Sequence, residues 1–163
     1  YLAASLEQLG DLRKLQQRFD EAETAYQESL QLRIGLAREF PAEATWRRLL
    51  ALGYASLKDL SAARNDLNGA TVAQREAARL WDELLQDLPG SSTQQEWFDS
   101  QLLLLELLLL GNGNGAETMA LLDKLRDFAQ KNAPVLEARP ELIDELARLQ
   151  KKANASTPSR GSR

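Results

Sequence analysis

Any chemistry in this 163-residue chain would have to use carboxylates, Lys, Ser or Tyr, because it contains no His and no Cys. Without imidazole or thiol there are no disulfides, no Cys or His zinc ligands and no His-based acid–base catalysis. The carboxylates fall mainly on the polar faces of amphipathic patterns, Glu21, Glu23 and Glu28 among them. Such charges form a solvated surface, and no pair of acids stands apart from it. Glu106 is placed differently, inside the run QLLLLELLLLG at 101–111. It could be a functional buried carboxylate or the one wet position of a leucine helix. An unpaired buried charge is costly, so the wet position is expected. GNGNG at 111–115 has the outline of a phosphate loop, with an apolar run before it and a helix after it. The G-x-G-x-x-G spacing, a following Walker Lys and a βαβ frame are all lacking. It is read as a loop in which Asn114 caps the next helix and Glu117 completes a capping box. Asn154-Ala155-Ser156 matches a glycosylation sequon, taken as chance because no secretory signal is visible. The expectation is a chain that is not an enzyme and holds no cofactor or metal.

The elements that position these residues are helical. In residues 4–41, Leu6, Leu9 and Leu12 fall at helical spacing, with Glu7, Arg13 and Lys14 on the other side. Gly10 lies inside that helix, where it costs about 1 kcal/mol against Ala; a close backbone approach would explain it. Asp20 and Glu23 read as a capping box for a second helix with the stripe Phe19, Ala22, Tyr26, Leu30 and Ala37. Pro41 lies just past its end. A second unit follows at a constant offset of 48: Asp11 and Asp59, Leu12 and Leu60, Ala22 and Ala70, Pro41 and Pro89. The N-caps assigned to Asp20 and Asn68 keep the same offset. The second unit's outer stripe is Leu67, Ala70, Ala73, Ala77, Leu80, Leu84 and Leu88, and Trp46 and Trp81 should pack between successive helices.

This pattern resembles the tetratricopeptide repeat, which pairs antiparallel helices around small and large residues at set spacings. Leu6, Leu9, Gly10, Ala22 and Tyr26 match in register; Arg13 stands where an aromatic is usual and Ser29 where Ala is usual. The long second helix is most similar to kinesin-light-chain-like repeats of multidomain bacterial proteins. The resemblance implies an all-α solenoid of about three helix pairs with a C-terminal capping helix. The units are expected at about 1–41, 42–89 and 90–134, with the cap at 139–153 and a disordered tail at 154–163. In the third unit Trp97 and Phe98 open the leucine helix. Met119, Leu122, Leu125 and Phe128 line the next one, which Pro134 ends. Pro140 starts the cap, whose stripe is Leu142, Ile143, Leu146 and Leu149 and which Lys151 and Lys152 close. Tyr1 is not an initiator Met, so the chain is expected to be a fragment of a larger cytoplasmic protein.

The chain is 44% hydrophobic and 27% charged, with a net charge of −4. That composition argues for a folded chain and against a nucleic-acid footprint. Nine or so apolar residues broken by Glu106 do not make a membrane span. In the family the first helix of each pair lines a concave groove for an extended peptide or partner helix. By register the resemblance assigns that groove to Ala4, Glu7, Asp11 and Lys14, then Leu52, Ala55, Asp59 and Ala62. Chaperone-binding members clamp a terminal carboxylate with Lys and Asn. Glu7 and Asp11 would repel that ligand, so a basic or mixed-charge protein or peptide segment is expected. The alternative is a regulatory or assembly segment that packs on other domains of the same chain or on a sister copy through the leucine-rich end.

Overall fold

The computed structural model describes residues 1–111 and 115–156. Among them are eight helices and no strand: α1 (Leu2–Leu15), α2 (Phe19–Glu39), α3 (Ala44–Ala63), α4 (Leu67–Asp87), α5 (Ser91–Leu110), α6 (Ala116–Lys131), α7 (Ala133–Leu136) and α8 (Pro140–Ser156). The chain divides into two compact units, the first Tyr1–Pro89 and the second from Gly90 onward. Within each, neighbouring helices pack on one another, the all-α packing of helical repeats. The repeats expected at about 1–41 and 42–89 fall in the first unit, and that at 90–134 with the cap at 139–153 in the second.

In the first unit the 48-residue period is geometric. Gln17 and Asn65 both take left-handed backbone, with φ of 59° and 58°. Each ends an inner helix, and an outer helix begins two residues later, at Phe19 and Leu67. Asn tolerates that region better than most residues, whereas Gln is an unusual occupant. The outer helices stop at Glu39 and Asp87, two residues before Pro41 and Pro89, where proline cannot continue the ladder.

The turn also moves the caps. The cap position falls on Arg18 and Asp66, not on Asp20 and Asn68. Asp66 accepts from the Gly69 N–H at 2.9 Å, whereas α2 has no side-chain cap. Asp20 lies inside the first turn, where its charge still favours the helix N-terminus. Its carboxylate and that of Glu23 instead take the Arg64 guanidinium, at 2.7 and 2.6 Å. The expected capping box is therefore a clamp from α2 onto the residue that ends α3.

Ala22, Tyr26 and Leu60 form a buried cluster, with Phe19 and Leu57 against it. The role of Gly10 follows: a Cβ there would lie 2.6 Å from the Tyr26 ring. The close neighbour is a side chain and not a backbone. The apolar stripe of α1 does not face this core. Leu9 and Leu12 are 41% and 49% exposed, and only Leu6 of the three is half-buried. Tyr26 and Ser29 of α2 meet α1 at Gly10, Asp11 and the Ala3 carbonyl, so α1 turns its leucines outward. In α4 the stripe is buried except at its ends, with Leu67 half-buried and Leu88 46% exposed beyond the helix. Trp81 is buried with the Arg48 guanidinium over its ring, and Trp46 lies against Phe40.

In the second unit α5 packs on α6 and α8. Leu102, Leu104, Leu105, Leu108 and Leu109 are buried, and Trp97 and Phe98 stack with Phe128. Glu106 is part-exposed and pairs with Arg148 of α8 at 2.8 Å. It is neither an isolated buried carboxylate nor simply a wet position. Two expected core residues, Met119 and Ile143, are exposed. Pro134 opens the short α7. Helix α8 runs past Lys151 and Lys152 to Ser156, burying Ala153, so 154–156 belong to the helix and not to a tail. The cap assigned to Asn114 and the tail beyond 156 lie outside the described residues.

Candidate functional site

The eight groove residues lie on one face of α1 and α3, two helices that touch. Each pairs with its equivalent 48 residues on. Ala4, Asp11, Leu52, Asp59 and Ala62 are exposed, whereas Glu7, Lys14 and Ala55 are half-buried.

Glu7 is occupied inside the fold. Its carboxylate pairs with Arg33, whose side chain is 5% exposed. Arg33 also donates to the Leu49 carbonyl at 2.7 Å, and the Ser56 hydroxyl donates to Glu7 at 2.9 Å. One ion pair thus joins α1, α2 and α3. A buried guanidinium needs both a counter-charge and hydrogen-bond acceptors, and this one has them. Gly53 makes room for it: a Cβ there would come within 3.1 Å of Arg33 and of Leu30. Sequence reasoning gave Arg33 no role. The available signal was its position, three residues after Leu30 and seven after Tyr26, on the apolar stripe itself.

Asp11 and Asp59 behave differently. Their side chains are 54% and 53% exposed. Asp11 accepts from the Tyr26 hydroxyl at 2.6 Å. Burial pushes the Tyr26 phenol well above its usual range; the hydrogen bond to Asp11 and the charges of Asp11, Asp59 and Glu7 push the same way. Lys14 lies 3.6 Å from Asp11 and over the Tyr26 ring, and Lys58 lies 2.7 Å from Asp59. These surface pairs are weak individually and open to exchange with a partner's charges. The face therefore offers two repeat-equivalent carboxylates, with the exposed Leu52 as an apolar point.

A shallow concavity of about 790 Å³ involves Leu2, Leu6, Thr24, Gln27, Glu28 and Leu57. It is separate from the Asp11 and Asp59 carboxylates. Among the described residues no group of three acidic, His or Cys side chains could hold a metal ion, and no helix is long and apolar enough to cross a membrane. Compared with protein-family models, curated proteins and solved structures, the chain gives no match.

Proposed function

We propose that this chain is a protein-interaction module of the tetratricopeptide type that binds an extended basic or mixed-charge segment along the α1/α3 face. It acts as a scaffold and not as an enzyme. The observation that carries the reading is the pair Asp11 and Asp59. They are equivalent by the repeat, half exposed, and both act on Tyr26. A peptide crossing the inner helices would meet one carboxylate per repeat, so its basic residues would be read at repeat spacing. Glu7, claimed by Arg33, would shape the face without contacting the ligand. The alternative assembly through the leucine-rich end has less support, since most of that run is consumed in the second unit's core.

The test is fluorescence anisotropy with labelled, proline-containing 12-residue peptides of basic, mixed and acidic composition. Basic peptides are expected to bind most tightly, with an affinity that falls as salt rises. Replacing Asp11→Asn and Asp59→Asn together should weaken them about tenfold, on the basis of roughly 0.7 kcal/mol per surface pair. Equal binding of acidic peptides, or an unchanged affinity in the double variant, would overturn the reading.

A further inference from the structure

We propose, on the reading of the α1/α3 face as a binding surface, that its two repeat-equivalent carboxylates are unequal anchors for a basic segment. Asp11 is the primary anchor, and Lys58 is a built-in competitor that holds Asp59 back. Both acids belong to the face by their place in the repeat. Asp59 is 53% exposed although the α1 and α2 pair packs against its helix, and Asp11 is 54% exposed. Position in the repeat, and not the presence or absence of a preceding pair, keeps these acids open.

The two acids differ in what holds them. Gly10 leaves room for the Tyr26 ring, and the Tyr26 hydroxyl donates to Asp11 at 2.6 Å. Forty-eight residues on, Lys58 stands in place of Gly10 and Gln74 in place of Tyr26. Both halves of the Gly10 and Tyr26 contact are therefore changed together in the second pair. The phenol is lost, and the Lys58 ammonium lies 2.7 Å from Asp59.

A neutral donor orients a carboxylate and leaves its charge available. The Tyr26 phenol stays protonated far beyond neutral pH, because burial and the hydrogen bond to Asp11 both raise it. It takes one of about four lone-pair positions on the carboxylate. An ammonium at 2.7 Å offsets the charge of Asp59 instead. Its tether keeps it beside the acid, so it competes as an intramolecular ligand against any cation a partner brings. Lys14 competes less at Asp11. It lies farther off, at 3.6 Å, and is shared with the face of the Tyr26 ring. Coulomb attraction falls with separation, so the charge left for a partner is larger at Asp11.

The probe is the labelled basic peptide, titrated by anisotropy into the full chain and its variants. Asp11→Asn should weaken it about fivefold and Asp59→Asn only about twofold, which multiply to the loss expected of the double variant. An amide oxygen at position 11 still accepts from Tyr26, so Asp11→Asn should melt as the wild type does. Lys58→Met keeps the apolar stem, removes the charge and should tighten binding about threefold; in that background Asp59→Asn should cost about fivefold. If Lys58→Met melts early, Lys58→Gln is the arbiter. Lys58 acts through Asp59, so neither substitution should tighten binding once Asp59 is Asn, whereas a general change in net charge would tighten it in both backgrounds. Equal losses at the two acids, a larger loss at Asp59, or position-58 variants that bind no tighter would overturn the unequal anchors and leave the basic-segment reading standing. An unchanged affinity in the double Asp11→Asn, Asp59→Asn variant would overturn both.

Discussion

Replacing Glu7 by Gln tests whether the charge that ties three helices together is structural. The guanidinium of Arg33 is almost wholly buried and its partner about a quarter exposed. Removing one member of a buried pair costs about 3–5 kcal/mol when the other charge is left with nothing. Arg33 would keep the Leu49 carbonyl at 2.7 Å and an amide oxygen at position 7. Partial exposure of residue 7 lets water approach as well. About 2 kcal/mol is the expected cost, which in a unit of this size lowers the melting temperature by about 8–16 °C. Glu7→Leu with Arg33→Met removes both charges and fills the space with apolar atoms. That double variant should lie within about 1 kcal/mol of the wild type. The assay is urea unfolding of wild type, Glu7→Gln, the two further singles (Glu7→Leu and Arg33→Met) and their double, followed by a probe of the first unit, the last three closed with wild type as a cycle. Additive singles, or a Glu7→Gln cost below about 0.5 kcal/mol, would refute the reasoning. The result also bears on function: a charge reversal at Glu7 would damage the fold before it reported on any ligand.

Two other outcomes follow from the same core. The Tyr26 phenol is held protonated by burial and by the carboxylate of Asp11, so its folded value lies above the ordinary value of about 10. Its contribution is full below about pH 10 and is lost as pH rises beyond that, because the unfolded phenol ionises first. Urea midpoints at pH 8 and pH 10.5 should fall further for wild type than for Tyr26→Phe, which should cost about 1–2 kcal/mol at pH 8; parallel alkaline losses in the two proteins would contradict this. Ala22 and Ala70, at 0% and 1% exposed, are the equivalent small contacts of the two pairs. Ala22→Glu and Ala70→Glu should each cost about 3 kcal/mol or more and abolish the cooperative melt of the first unit by circular dichroism, and wild-type melting of either would count against the repeat register.

Helix existence, the 48-residue spacing and the proline stops were legible because each rests on local chemistry. A proline ends a helix wherever it lies, and a residue type repeated at fixed distance needs no tertiary context. The caps were misplaced by two residues because Gln17 is an unexpected left-handed residue, and nothing in its side chain announces that. The eight residues assigned to the groove share a face because they share a period. Which of them remain available was not readable: Glu7 and Asp11 look alike in sequence, yet one is taken by a buried guanidinium and the other stays half exposed while accepting from the Tyr26 hydroxyl.

Sequence alone determined that α-helical hairpins recur every 48 residues and that prolines end the outer helices, since those follow from backbone propensity and short-range sterics. Tertiary structure decided which side of each helix is covered. The leucine of one repeat position is buried on α3, as Leu60, and exposed on α1, as Leu12, because burial depends on the helix laid against it and not on the residue type. It also decided that an arginine on an apolar stripe is tolerated, since only a carboxylate and a carbonyl brought from two other helices can satisfy its charge.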